Sequence, residues 1–171
     1  MNREPVALTG LATGGLLAPR VTAVLARVSW PGKPGDSAPL PSLTAEEQRR
    51  FDAGREIYRD ICQACHQPDG RGQDKLAPTL IGAAWTLGPA EIPTRILLNG
   101  KEGAFGLMPP IGSTLRDEQI ANVLTYVRRE WGQAATPVDA DTVKAVRALS
   151  IGRSRPWTDD ELMKLPGVSK P

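Results

Sequence analysis

The chain has 171 residues, a formal net charge of +2 and 40% hydrophobic residues. This length suits one domain with flanking extensions. The small net charge gives no support for binding to nucleic acid or to an anionic membrane, and no apolar run reaches the length that spans a membrane. Seventeen glycines and 16 prolines predict long irregular loops.

The first 43 residues form an arm. Valine and leucine recur at helical spacing, which predicts a short helix from about Val21 to Val28. Residues 31–43 hold four prolines and two glycines and are typical of an extended linker. The arm either lies across the domain that follows or is the tail of a preceding domain.

A capping box at Thr44 and Glu47 predicts a helix that runs to about Cys62. Its expected apolar stripe consists of Phe51, Gly54, Ile57, Tyr58 and Ile61. Glycine weakens a helix by roughly 1 kcal/mol relative to alanine. Gly54 on the stripe therefore predicts that another helix crosses there at very close range.

The helix leads into Cys62-Gln63-Ala64-Cys65-His66, and these hold the only two cysteines and the only histidine of the chain. C-x-x-C-H is the spacing that attaches a c-type haem. The two thiols lie one helical turn apart and can form thioethers to the two vinyl groups of one porphyrin. His66 is then held under the iron as an axial ligand.

Three other interpretations of the two cysteines remain open. A thioredoxin-like redox pair requires a strand before it and a βαβ context, and the sequence predicts neither. A structural zinc site requires four ligands, whereas two cysteines and one histidine supply three. The third interpretation is a structural disulfide or a pair of buried thiols.

Further elements follow the motif. A carbonyl near Pro78 is placed to accept the proton on the far ring nitrogen of His66 and so orient the ring, and Leu80 is expected to pack on the porphyrin face. Helices are predicted over 89–99, with Pro89 in the first turn, and over 115–131, with Arg128 and Arg129 facing the helix dipole. A glycine-rich loop, 100–113, separates them. Two further helices are predicted over 139–149 and 158–165, the second opened by a capping box.

Residues 44–132 resemble the class I cytochromes c. Gly54 and Tyr58 precede Cys62 by eight and four residues, and Pro78 and Leu80 follow His66 by twelve and fourteen. Met108 is followed by two prolines and then by a helix that carries Val123 and Tyr126 at the matching places. Arg116 departs from the serine that often caps that helix, and Thr114 is the alternative cap.

The resemblance implies an all-α class I cytochrome c fold around one covalently bound haem c per chain. It implies His66 and Met108 as the axial iron ligands. The expected domains are an arm over 1–43, a haem domain over 44–132 and a helical extension over 133–171. Trp85 is either a hydrogen-bond donor to a haem propionate or a packed core tryptophan. Arg95 is either a weaker candidate for the propionates or an exposed arginine on a helix face.

The flanking stretches, 27–35 and 156–162, resemble cytochrome modules at the C-terminus of large exported bacterial proteins, some with dehydrogenase or helical-repeat domains ahead. Covalent haem attachment takes place outside the cytoplasm in bacteria, so a periplasmic or otherwise exported location is expected. The start of the chain makes a poor signal peptide. We interpret it as mature sequence, an artificial boundary or part of a longer chain.

The function implied by the resemblance is outer-sphere transfer of single electrons, either as a free shuttle or as the cytochrome part of a larger dehydrogenase. The expected partners are redox proteins: a dehydrogenase as donor and an oxidase or another cytochrome as acceptor. An enzymatic role is not expected. The alternative is a haem peroxidase or a protein that binds gases at an iron with a labile Met108. A third possibility is a structural role, in which 1–43 and 133–171 bridge copies into an assembly.

Residues 44–132 hold 11 basic and 12 acidic residues. This balance predicts that a partner docks through a weak, transient interface rather than through one strong charge.

Overall fold

The computed structural model describes residues 17–27 and 42–168. The chain divides into two compact units between Ser42 and Leu43. In the first unit, helix α1 spans Ala18–Ala26, with Pro19 in its first turn. The predicted helix over 21–28 therefore begins earlier than expected, and its end at Val28 and most of the predicted linker lie outside the described residues.

The second unit is mainly helical. Its elements are α2 (Ala45–Ile57), a π-helical turn (Tyr58–Cys62), α3 (Gln63–His66), α4 (Ala84–Leu87), α5 (Glu91–Asn99), β1 (Lys101–Gly103), β2 (Gly106–Met108), α6 (Asp117–Arg129), α7 (Ala140–Leu149) and α8 (Asp159–Leu162). No helix in the described part of the chain is both long enough and apolar enough to cross a membrane.

The helix starts predicted at Thr44, Asp139 and Thr158 agree with the structure. The Thr44 hydroxyl accepts from the Glu47 amide, and Glu47 accepts from the Thr44 amide in return. Thr158 and Glu161 form the second capping box, and Asp139 caps α7. Helix α8 ends at Leu162 rather than at 165.

Helices α2 and α6 cross at the predicted glycine. A Cβ atom on Gly54 would overlap the backbone carbonyl of Asn122 and would lie 2.9 Å from Cβ of Tyr126. The crossing therefore places the two backbones in direct contact. The core around it is formed by α6 residues such as Ile120 and Val123, which are almost completely buried.

The π-helical turn changes which residues of the predicted apolar stripe on α2 are buried. Gly54 and Tyr58 are buried, but Ile61 is 38% exposed. A π turn contains more residues than an α turn, so residues beyond Tyr58 are rotated relative to an uninterrupted α-helix. This rotation explains why Ile61 leaves the buried face just before the cysteine motif.

Two other helix starts differ from the predictions. Helix α5 begins at Glu91, so Pro89 precedes it and Pro93 occupies its first turn, where proline costs no hydrogen bond. Helix α6 begins at Asp117, and the Gln119 side chain caps it by accepting from the Arg116 amide at 3.0 Å. Thr114 is therefore not the cap.

The predicted loop over 100–113 contains a short antiparallel hairpin instead. Lys101 pairs with Met108, Glu102 with Leu107, and Gly103 with Gly106. Two three-residue strands carry too little hydrophobic alternation to be recognised in a sequence. The hairpin is the exception to the all-α expectation, and it carries Met108.

Arg128 and Arg129 lie in the last turn of α6, as expected, but Arg128 is only 3% exposed and has a further role. Its guanidinium donates to the carbonyls of Thr86 (2.6 Å), Gly88 (2.8 Å) and Thr136 (2.8 Å). Burial lowers the pKa of Arg128, and the charge of Glu91 opposes this effect. One side chain thus fastens α6 to the segment that carries Trp85 and to the chain that follows Trp131.

We expect Arg128→Met to reduce the free energy of unfolding by about 2–3 kcal/mol, because buried carbonyls lose their donors at about 1–3 kcal/mol each while a buried charge is removed. Denaturant unfolding of the purified protein measures this loss. The control is the exposed Arg49→Met, which should stay within about 0.5 kcal/mol of wild type. Equal effects of both substitutions would contradict the structural role of Arg128.

Candidate haem site

The residues predicted for the site line one cavity. Its wall includes Cys62, Cys65, His66, Pro78, Leu80, Trp85 and Met108. These residues come from the π-helical turn, α3, the loop that follows it, α4 and the hairpin, so they are separated by up to 46 positions in the sequence. Most of the remaining lining is apolar, and α5 and α6 contribute Ile96, Leu97, Val123, Leu124 and Val127 to it.

The cysteines precede His66 on the same helical stretch. Cys62 is partly buried, Cys65 is exposed, and both are free thiols. Burial, and to a lesser degree the nearby Cys65, raise the pKa of Cys62 to about 11. Both side chains face the cavity, as thioether attachment to one porphyrin requires. In the described ranges, no three His, Cys, Asp or Glu side chains are grouped as a metal site would need.

His66 is held by the contact expected from the sequence. Its Nδ1 lies 3.2 Å from the Pro78 carbonyl oxygen. A proton on Nδ1 that is donated to this oxygen leaves Nε2 with a free lone pair, as a metal ligand requires. Burial lowers the pKa of His66, and the hydrogen bond to Pro78 opposes this effect. The imidazole is therefore favoured in its neutral form.

The loop between His66 and Pro78 is folded back tightly on itself. The Gly72 amide donates to the His66 carbonyl at 3.0 Å. Gly72 has a φ of +74°, and a Cβ there would overlap the Ala77 carbonyl and lie 2.6 Å from that of Pro78. Only glycine fits this left-handed position, which brings the Pro78 carbonyl under the histidine ring.

Tyr58 anchors the other end of the same loop. Its hydroxyl donates to the Gln67 carbonyl at 2.6 Å, and its ring packs against Tyr126 and Trp131 with centroids 5.3 and 5.4 Å away. Tyr58 also lines the cavity. It thus joins the helix crossing at Gly54 to the residue that follows His66.

We expect Tyr58→Phe to reduce the free energy of unfolding by about 1 kcal/mol, since it removes one hydrogen bond and leaves the ring packing intact. Thermal unfolding of the purified protein measures the change. The matched control is Tyr126→Phe, for which the expected loss is smaller because Tyr126 contributes mainly its ring. A loss at Tyr58 no larger than that at Tyr126 would contradict the anchoring role.

Met108 reaches the cavity from β2. It is partly buried and packs against both apolar clusters of the second unit. Two prolines follow it, and the Ile111 amide then donates to the Leu97 carbonyl at 2.9 Å, which fixes the end of the segment to α5.

Trp85 and Leu80 are partly buried and line the cavity. Arg95 does not line it, and it is not an exposed residue on a helix face. The Arg95 guanidinium lies 5.4 Å from the centre of the Trp157 ring, and its Nε is buried without a partner. The interpretation of Arg95 as an exposed residue was therefore wrong, because the sequence did not reveal that Trp157 packs on this face of α5, whereas its role toward the propionates stays a prediction.

Lys101 is a cavity residue that the sequence analysis missed. Its side chain is 17% exposed, and Nζ lies 2.8 Å from Asp159 Oδ1 and 5.8 Å from the centre of the Trp85 ring. Lysine on a glycine-rich stretch is ordinarily a solvent-facing residue. Only the hairpin register, which pairs Lys101 with Met108, shows that it belongs to the site.

The cavity fits a covalently attached haem by the chemistry of its side chains. It offers two thiols in the C-x-x-C-H spacing, an imidazole whose Nδ1 lies within hydrogen-bond distance of the Pro78 carbonyl, a thioether sulfur on a separate element, and mostly apolar walls. Nitrogen and thioether donors are typical axial ligands of haem iron.

Comparisons with known proteins agree with a site for covalently attached haem. Residues 49–127 match the family described as cytochrome C oxidase, cbb3-type, subunit III. Cytochrome c-552 of Thermus thermophilus is 32% identical over 115 residues, which cover 57% of this chain and 86% of that protein.

Two relatives are subunits of larger enzymes. The fructose dehydrogenase cytochrome subunit of Gluconobacter japonicus is 38% identical over 106 residues, covering 56% of this chain and 22% of that protein. The gluconate 2-dehydrogenase cytochrome c subunit of Pantoea cypripedii is 36% identical over 107 residues, covering 55% and 24%. The chain thus spans only about a quarter or less of these two relatives.

Proposed function

Since the chain belongs to the class I c-type cytochromes and is an electron carrier with covalently bound haem c, we propose that His66 and Met108 are the axial ligands and that a dehydrogenase supplies its electrons. The carrier is not itself an enzyme. The observation that carries the proposal is the convergence of both cysteines, His66 and Met108 on one largely apolar cavity.

The proposal assigns a role to each residue of the site. Cys62 and Cys65 form the thioethers, and the haem supplies the Fe(III)/Fe(II) couple. The Pro78 carbonyl holds the Nδ1 proton of His66 and fixes the ring orientation. Leu80 and the apolar side chains of α5 and α6 exclude water. A poorly polar surrounding disfavours the additional charge of the ferric state and so raises the reduction potential.

Met108 completes the axial pair. His66 and Met108 together would leave the iron of a bound haem without an open position for a substrate, and the haem would then supply one-electron transfer alone. Two protein ligands therefore favour the electron carrier over the peroxidase or gas-binding alternative. Trp85 is assigned as a propionate donor because it lines the cavity and is only partly buried.

The names of the two dehydrogenase subunits support a donor of that kind. We propose a class I cytochrome c fold for the haem domain, 44–132, and a helical extension over 133–171. We place the chain outside the cytoplasm, because haem c is attached there in bacteria. Its acceptor is an oxidase or another cytochrome.

The proposal is tested by mass spectrometry and potentiometric titration of protein produced in a periplasm with haem attachment. The intact chain should carry the mass of one haem and titrate as one electron at a positive potential. The Cys62→Ser, Cys65→Ser double variant should lose the covalent haem. A wild-type chain of unmodified mass would contradict the assignment of both cysteines, and ready binding of cyanide by ferric protein would favour the alternative.

A further inference from the structure

We propose that residues 156–165, the C-terminal strap, are a positioning element that holds the Met108 hairpin against the iron. The inference rests on the proposed role of Met108 as a ligand and goes beyond it. In this role, a segment outside the haem-attachment motif keeps Met108 in place as the proposed sixth ligand.

The backbone contacts join the strap directly to the hairpin. Lys101 on β1 pairs with Met108 on one side and forms a parallel bridge with Trp157 on the other. The Trp157 amide donates to the Gly100 carbonyl at 3.0 Å, and the Glu102 amide donates to the Trp157 carbonyl at 2.8 Å. The strap therefore lies beside β1 in the manner of a third strand, and Lys101 on β1 lies between Trp157 and Met108.

The Trp157 ring lies close to the guanidinium groups of two arginines. The Arg153 guanidinium lies 3.6 Å from the centre of its ring and the Arg95 guanidinium 5.4 Å away. Arg153 also donates to Glu161 at 2.7 Å, and Glu161 is the acidic member of the capping box that opens α8. The tryptophan, α5 and α8 are therefore connected, and the strap cannot shift without breaking several contacts.

Two further contacts lie beneath the strap. Leu162 is completely buried and packs with Ile92 and Ile96 in an apolar cluster that Met108 and Trp157 adjoin. Asp159 pairs with Lys101 at 2.8 Å. Movement of the hairpin away from the cavity would carry Met108 with it, and that movement would strain the Trp157 bridge, the Lys101 ion pair and the Leu162 packing together.

The test is the rate at which cyanide binds to the ferric holoprotein, because cyanide can bind only after Met108 has left. We expect at least a tenfold faster rate in Leu162→Ala and in Trp157→Leu. We expect a rate about two- to fivefold faster in Asp159→Asn, since its ion pair is half exposed. Hydrogen exchange of the segment 101–108, measured by mass spectrometry, should accelerate in the same variants.

The matched control is Asp139→Ala, which removes the N-cap of α7 away from the strap and outside both apolar clusters. It should lower overall stability and change the cyanide rate less than twofold. If Leu162→Ala proves too unstable to purify, Trp157→Leu and Asp159→Asn still decide the question, because both leave the buried cluster in place.

The outcomes separate the two proposals. A wild-type protein with the far-red thioether-to-iron absorption band, together with strap variants that bind cyanide no faster than the α7 control, would overturn the strap inference and leave the proposed function intact. A wild-type protein without that band would overturn the ligand assignment and, with it, the role of the strap.

Discussion

Replacing Met108 by leucine is expected to lower the reduction potential by more than about 0.1 V, a fraction of the roughly 0.8 V over which axial ligands tune haem. The thioether sulfur stabilises the ferrous form, and leucine offers no donor. The ferric protein should become high-spin, and its affinity for cyanide should increase by orders of magnitude. Potentiometric titration and visible absorption spectra measure these changes.

Met163 supplies the control for this substitution. It follows α8 and does not line the cavity, so Met163→Leu should leave both the spectrum and the potential unchanged. If Met108→Leu behaved in the same way as Met163→Leu, the sixth ligand would be a different group or absent, and the ligand-binding alternative would replace the electron carrier.

Replacing Gly54 by alanine should have the second large effect, a loss of at least about 3 kcal/mol in the free energy of unfolding. Helix propensity alone predicts a gain of about 1 kcal/mol. The new methyl group, however, would overlap the Asn122 carbonyl and approach Tyr126. Both obstacles belong to the opposing helix, so relief requires α2 and α6 to separate, and overpacking of this kind is costly. Denaturant unfolding of the holoprotein measures whether the substitution raises or lowers the free energy of unfolding.

The neighbouring Ala53 gives the matched control for the crossing. It is exposed on α2, so Ala53→Gly should cost about 1 kcal/mol through propensity alone. The pair therefore separates helix propensity from packing at adjacent positions. A stabilised Gly54→Ala would show that the two helices do not cross in contact at this glycine.

Features determined by local chemistry could be predicted from the sequence. The capping boxes at Thr44 and Thr158 depend on residues three positions apart, and both appear in the structure. The Gly54 crossing follows from a glycine that no helix would otherwise favour. The His66 contact with Pro78 was expected because a metal-bound imidazole usually donates its second proton to a nearby acceptor.

Features that depend on distant partners could not be predicted. Arg128 looked like an ordinary basic residue at a helix end, and its three carbonyl partners lie up to 42 positions away. The position of Lys101 in the cavity wall depends on a hairpin of only three residues per strand. The π-helical turn moves Ile61 to the surface. The spacing of apolar residues along α2 does not predict such a turn.

The central claim is that Met108 and His66 ligate one covalently bound haem in an electron carrier. The most direct test is the NMR spectrum of ferrous protein labelled with ¹³C at the methionine methyl groups, of which the chain has three. We expect one methyl resonance to be shifted far upfield by the porphyrin ring current and to disappear in Met108→Leu. Three methyl resonances at ordinary positions, or a shifted one that survives that substitution, would contradict it.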